Sequence, residues 1–115
     1  MLRHVLIDTQ ESMDEVAAQF RKLMSLPEQN ATTSIRDQRR EGENRGGLYY
    51  HFEGGRFHYE LLRNSGVSII REDHAAPFYV WIHTDGPGDD QVVDEMARHC
   101  IRLLNGAGIA AEGCD

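Results

Sequence analysis

The chain has 115 residues, of which 40% are hydrophobic and 27% are charged, as is usual for one globular domain. This composition excludes a disordered or collagen-like chain, and no apolar run is long enough to span a membrane. The 12 basic and 19 acidic residues give a formal net charge of −7, which argues against general nucleic-acid binding because phosphate would be repelled. We therefore treat residues 1–115 as a single domain.

The first elements that the sequence predicts are a strand over residues 3–8 and a helix that begins at a capping box from Ser12 to Glu15, with Thr9 to Ser12 as a competing start. Pro27 is expected to end this helix. Its apolar residues recur at the spacing of one buried helical face, at Met13, Val16, Ala17, Phe20, Leu23 and Met24.

The middle of the chain reads as a run of strands separated by turns. Residues 31–40 predict a strand, residues 41–47 an exposed glycine-containing loop, and residues 67–71 and 78–83 two further strands. Two alternating runs between residues 48 and 63, separated by two glycines, predict a β-hairpin.

A second helix is predicted to begin near Asp89 or Asp90, either of which can cap it, and to stop at Asn105-Gly106. The tail from Ala107 onward is expected either to add a short edge strand or to be loose. Two helices that each have one apolar face need a sheet to cover. The predicted fold class is therefore α+β: a two-layer sandwich in which an antiparallel sheet of about four to six strands carries two helices packed on one face.

The hairpin has a predicted register and two predicted faces. With Gly54 and Gly55 as the central pair of the turn, the opposed pairs would be Glu53–Arg56, Phe52–Phe57, His51–His58, Tyr50–Tyr59 and Tyr49–Glu60. Because side chains alternate across a strand, the rings of Tyr50, Phe52, Phe57 and Tyr59 would share the core face. The opposite face would carry Tyr49, His51, Glu53, Arg56, His58 and Glu60.

The paired histidines of the polar face suggest a metal site. Directly opposed Cβ atoms lie about 4.5–5.5 Å apart, close enough for His51 and His58 to share one ion. Glu60 would be the third ligand and a water molecule the fourth, as at a zinc site. The simplest alternative is a solvated polar face with ordinary cross-strand contacts, and in that case no cofactor is expected.

The same face is the predicted binding surface of the domain, formed by Tyr49, His51, Glu53, Arg56 and His58 beside the loop 41–47, because Tyr and Arg are favoured interface anchors. We expect a non-catalytic, acidic protein-binding domain in the cytoplasm: an inhibitor, an immunity-type protein or an accessory subunit. Its partner would be another protein rather than a nucleic acid or a membrane, and a homodimer through a sheet edge fits as well. The alternative is a metal-dependent or acid–base enzyme that uses His51, His58 and Glu60.

Outside the hairpin, the sequence suggests one candidate catalytic pair, and the remaining residues considered are predicted to have structural roles. His83 and Asp85 could orient one another as a general acid and base. Cys100 is predicted to be a buried core thiol, and Trp81 is predicted to lie in the core. Two cysteines, Cys100 and Cys114, are too few for the disulfide framework of a small secreted domain, and the first residues lack the apolar segment of a signal peptide, which is why we expect a cytoplasmic protein with reduced thiols.

Overall fold

The computed structural model describes residues 1–27, 32–33, 48–64 and 76–115. The predicted strand over residues 67–71, the loop 41–47 and most of the strand predicted over 31–40 lie outside the described residues. The elements, in chain order, are β1 (His4–Asp8), α1 (Met13–Leu23), β2 (Thr32–Thr33), β3 (Leu48–Gly54), β4 (Phe57–Arg63), β5 (Phe78–Thr84), α2 (Asp90–Gly106) and β6 (Ala110–Cys114).

The strands form one antiparallel sheet in the order β2-β3-β4-β5-β1-β6, in which β2 has only two residues. The neighbours β3, β4 and β5 follow one another along the chain, whereas β1 lies between β5 and β6. Both helices pack on one face of this sheet. The predicted α+β fold with two helices on an antiparallel sheet is therefore confirmed.

The core between the helices and the sheet is made of apolar side chains from both layers. Helix α1 contributes Val16 and Phe20, and helix α2 contributes Ala97 and Cys100. The sheet contributes the inward residues Val5, Ile7, Phe52, Tyr59, Leu61, Phe78, Val80 and Ile82. The prediction that Cys100 is a buried thiol is confirmed, and its burial raises the pKa of the thiol to about 12.

Helix α1 begins at the predicted capping box but ends earlier than predicted. The Ser12 hydroxyl accepts a hydrogen bond from the backbone N–H of Glu15, and the Glu15 carboxylate accepts one from the backbone N–H of Ser12. The helix stops at Leu23, several residues before Pro27, because Ser25 adopts a left-handed conformation with φ of 54°. The backbone N–H of Ser25 then donates to the carbonyl oxygen of Lys22, and that of Leu26 donates to the carbonyl oxygen of Arg21, as in a Schellman motif.

Helix α2 begins where the sequence predicts, but not by the predicted cap. Asp89 precedes the helix, yet its side chain makes no capping hydrogen bond. Its carboxylate accepts a hydrogen bond from the Thr84 hydroxyl at 2.8 Å and pairs with Arg56 instead. The predicted stop at Gly106 is confirmed, and the tail forms the edge strand β6. Neither described helix is long and apolar enough to cross a membrane.

The hairpin of β3 and β4 reverses at the two glycines, but its register differs from the predicted one. Gly54 is opposite Phe57, so the turn is Gly55-Arg56 rather than Gly54-Gly55. Phe52 consequently faces Tyr59, and all five predicted pairs, including Phe52–Phe57 and His51–His58, are wrong. The predicted division into two faces survives, because moving the turn by one residue shifts each pairing by two and leaves the alternation unchanged.

Trp81, which the sequence predicts to lie in the core, is not part of the cluster between the sheet and the helices. It is half-buried on the opposite face of the sheet, where it packs against a smaller apolar cluster. That cluster contains Leu6, Leu62, Ala76 and Tyr79.

Candidate functional site

The polar side chains of β3, β4 and β5 lie together on the sheet face that the helices do not cover. We call this surface the histidine face, and it consists of His51, Glu53, His58, Glu60 and His83. The register places Glu53 opposite His58, His51 opposite Glu60 and His58 opposite His83. The five side chains therefore form a continuous patch across three neighbouring strands.

Three donor atoms of the histidine face converge on one point. Nε2 of His51 lies 3.4 Å from Nδ1 of His58. Oε1 of Glu53 lies 3.6 Å from the His51 nitrogen and 3.4 Å from the His58 nitrogen. These three residues form a group whose donor atoms could hold one metal ion.

The size of this triangle indicates which coordination it suits. In a tetrahedral zinc site with bonds of about 2.0–2.1 Å, neighbouring ligand atoms lie about 3.3–3.4 Å apart. In an octahedral magnesium site with similar bonds the corresponding separation is only about 3.0 Å. The observed separations of 3.4, 3.4 and 3.6 Å match the tetrahedral spacing more closely.

Glu60, predicted to be the third ligand, has a different neighbour. Its carboxylate Oε2 lies 2.9 Å from Nε2 of His83, and its side chain is only 12% exposed. Glu53 occupies the position next to both imidazoles that the sequence prediction gave to Glu60. Because the register is shifted by one turn residue, His58 is opposite Glu53 rather than opposite His51.

The suggested acid–base pair of His83 and Asp85 is replaced by two other contacts. His83 pairs with Glu60, and Asp85 places Oδ1 3.0 Å from Nε2 of His58. Aromatic packing fixes the His83 ring, which stacks on Trp81 with centroids 4.1 Å apart and on His58 at 5.1 Å.

The loop between β5 and α2 is held against the hairpin turn close to the site. Nη2 of Arg56 lies 2.8 Å from Oδ1 of Asp89, while Thr84 donates to the other oxygen of that carboxylate. These hydrogen bonds from Thr84 and Arg56 lower the pKa of Asp89. Together with the contact between Asp85 and His58, they give this loop two attachments to β4 and its turn.

The structure gathers part of the predicted binding surface. His51, Glu53 and His58 are adjacent, and Arg56 lies in the turn with a side chain that is 57% exposed. The side chain of Tyr49 lies outside the described part of the structure. A protein-binding role for this surface stays a prediction, and loss of partner capture in an Arg56→Ala, Tyr49→Ala double variant would test it.

Sequence reasoning assigned Glu53 to the polar face but missed it as a metal donor. The available signal was its spacing from His51, because residues i and i+2 of a strand project from the same face. The contact of Asp85 with His58 had no comparable signal, since it joins a loop residue to a strand 27 residues earlier in the chain. Comparison with protein-family models, with curated proteins and with solved structures gives no match to this chain.

Proposed function

We propose that this protein is a metal-binding domain that holds one divalent transition-metal ion, preferably zinc, through His51 Nε2, Glu53 Oε1 and His58 Nδ1. The observation that carries the proposal is the triangle of these three atoms, with sides of 3.4, 3.4 and 3.6 Å. Two imidazoles and one carboxylate are donors that zinc accepts, whereas magnesium and calcium prefer oxygen ligands.

The surroundings of the three donors also favour a cation. The chain carries a formal net charge of −7, and two further carboxylates, Glu60 and Asp85, contact histidines of the same patch. An acidic surface raises the local concentration of cations. The strands supply rigidity, since His51 and Glu53 come from β3 and His58 from the directly paired strand β4.

The proposal is tested by titrating the metal-free protein with zinc. We expect one ion per chain and, at a zinc concentration 100 times the Kd, a stabilisation of about 2.7 kcal/mol. For a domain of this size that corresponds to a rise in Tm of roughly 10 °C. The measurements are elemental analysis after dialysis and thermal unfolding with and without zinc.

Single substitutions identify the ligands. His51→Ala, His58→Ala and Glu53→Gln should each weaken zinc binding by more than about 100-fold, beyond the usual effect of losing a residue that only supports a ligand. His99→Ala is the matched control, because it removes an exposed histidine from helix α2. Glu60→Gln tests whether Glu60 is a ligand as well as Glu53. This variant should bind zinc nearly as the wild type does. Equal affinities of His51→Ala and His99→Ala would refute the site.

A second candidate function is metal-dependent hydrolysis. What favours it is that three protein ligands leave one tetrahedral position for water, as at catalytic rather than structural zinc sites. The paired Glu60 and His83 lie beside the donors and could take up a proton from that water. Zinc-dependent cleavage of an activated ester that exceeds the rate of free zinc, and that His51→Ala abolishes, would support this candidate.

The cytoplasm is the compartment that we propose for the protein. Its support is that Cys100 and Cys114 are both free thiols, as expected in a reducing environment. A protein partner and a homodimer through a sheet edge also stay predictions. Light scattering of the eluting protein would measure the oligomeric state.

A further inference from the structure

Asp85 lies on the side of the His58 ring opposite to the proposed metal position. Nδ1 of His58 faces Glu53 and His51, each at 3.4 Å. The other ring nitrogen, Nε2, lies 3.0 Å from Oδ1 of Asp85, which is the first residue after β5. Nδ1 of His58 thus faces the two other proposed ligands, while Nε2 faces a carboxylate that is not one of them.

We propose that Asp85 is a positioning residue that holds His58 in the form that binds metal through Nδ1. A neutral imidazole carries its proton on one nitrogen only, and the other nitrogen keeps the lone pair that coordinates an ion. The Asp85 carboxylate lies closer to Nε2, at 3.0 Å, than the Glu53 carboxylate lies to Nδ1, at 3.4 Å, so Asp85 favours the proton on Nε2 and leaves Nδ1 free. Metal-binding histidines commonly donate their second N–H to such a carboxylate. This inference rests on the proposed metal site.

The loop that carries Asp85 is independently fixed in place. Asp89, four residues further on, accepts a hydrogen bond from Thr84 and pairs with Arg56 of the hairpin turn. The carboxylate of Asp85 is therefore delivered by a segment attached to the hairpin at a second point. Its side chain is 89% exposed, so the contact with His58 is made without burying the carboxylate.

The first test compares zinc affinities by competition with a chromophoric chelator. Asp85→Ala should weaken binding by about 10–100-fold, the usual effect of losing such a partner. Asp90→Ala is the matched control, because it removes an exposed aspartate of the same charge at the start of helix α2. Because Asp85 is exposed, the variant should fold, and circular dichroism checks this. Asp85→Asn replaces it if the alanine variant is unfolded.

The second test observes the protonation of the His58 ring directly. In the zinc-loaded protein labelled with ¹⁵N-histidine, we expect His58 to carry its proton on Nε2 and to bind zinc through Nδ1. In metal-free Asp85→Ala, the Nε2-protonated form should be less populated than in the metal-free wild type. A substitution that only destabilised the loop would not change this tautomer ratio.

The outcomes separate the two proposals. If the wild type binds no zinc, the metal site itself is wrong. If the wild type binds zinc through His51, Glu53 and His58 but Asp85→Ala and Asp90→Ala have the same affinity, only the role of Asp85 is wrong. Coordination of zinc through Nε2 of His58 would also overturn that role.

Discussion

Gly54 and Gly55 are adjacent in the hairpin, but they need to be glycine for different reasons. A Cβ atom on Gly54 would lie 2.6 Å from Cδ2 of the buried Leu26, far inside normal contact distance. Gly55 has open space around it but adopts φ of +62°, which suits the first central position of a type II′ turn. Gly54 therefore allows close packing, and Gly55 allows the chain to reverse.

Alanine substitutions should separate these two causes. Gly55→Ala should lower the free energy of unfolding by about 1–2 kcal/mol, the usual cost of a left-handed backbone for other residues. Gly54→Ala should also be destabilising, but a Leu26→Ala background should relieve part of its cost, because the clash is with that side chain. Urea unfolding of the single and double variants measures both effects. Equal costs of Gly54→Ala in the two backgrounds would contradict the steric explanation.

The same two glycines mark the limit of what the sequence predicts about the site. Their presence between alternating runs predicts the hairpin and its two faces, because those depend only on the period of the strands. The register depends on which two residues form the turn, and the period of the strands does not determine this. One residue of difference in the turn changes the neighbour of His58 from His51 to Glu53, and so changes the third donor of the candidate metal site.

At the scale of elements, the two ends of α1 differ in how far the sequence determines them. The capping box at Ser12 and Glu15 uses residues three apart and is visible in the sequence. The C-terminal end of α1 is set by Ser25, which has a left-handed backbone conformation that serine rarely adopts. No local preference of serine indicates this end, and for that reason Pro27 was the expected terminus.

The unfavourable conformation of Ser25 predicts that glycine is better at this position. Ser25→Gly should raise the free energy of unfolding by about 0.5–1 kcal/mol, because relief of the left-handed strain exceeds the added entropy of the unfolded chain. Ser25→Ala keeps a Cβ atom at the same φ and should bring no such gain. Ser25 is exposed, so neither change disturbs the core. Chemical denaturation that ranked alanine equal to or above glycine would contradict this interpretation of the helix end.

At the scale of the whole molecule, the strand order could not be predicted from local patterns. The sheet places β1 between β5 and β6, so that the first strand of the chain lies between two strands from its last third. The alternation of apolar residues predicts where each strand lies in the sequence, but it does not indicate which strands are neighbours in the sheet. The contact of Asp85 with His58 likewise depends on β4 and β5 being paired, with His58 directly opposite His83.

Among the residues that the structure describes, three carboxylates have lowered pKa values, and all three couple folding to pH. Hydrogen bonds from Ser12 lower the pKa of Glu15, those from Thr84 and Arg56 lower that of Asp89, and those from Arg98 and the backbone N–H of Leu2 lower that of Asp94. Asp94 also links helix α2 to the N-terminal segment, because its Oδ1 accepts a hydrogen bond from the Leu2 N–H at 2.8 Å. In each case the unfolded chain binds its proton at a higher pH than the folded one does.

Because the pKa values of these carboxylates are lower in the folded protein than in the unfolded chain, the free energy of unfolding should fall at acidic pH. The stabilisation by these carboxylates is complete above their unfolded pKa values, near 4.5 for Glu15 and 3.8 for Asp89 and Asp94, and it is lost as pH falls through the lower folded values. The urea midpoint of the metal-free protein in EDTA should therefore decrease from pH 5 to pH 3.

Asp94→Asn should be less stable than the wild type at pH 5, and the two curves should converge toward pH 3. Glu95→Gln, which removes an exposed carboxylate from the same helix, should follow the wild-type curve. A constant difference between Asp94→Asn and the wild type across this range would mean that the contacts of Asp94 stabilise the fold independently of its charge.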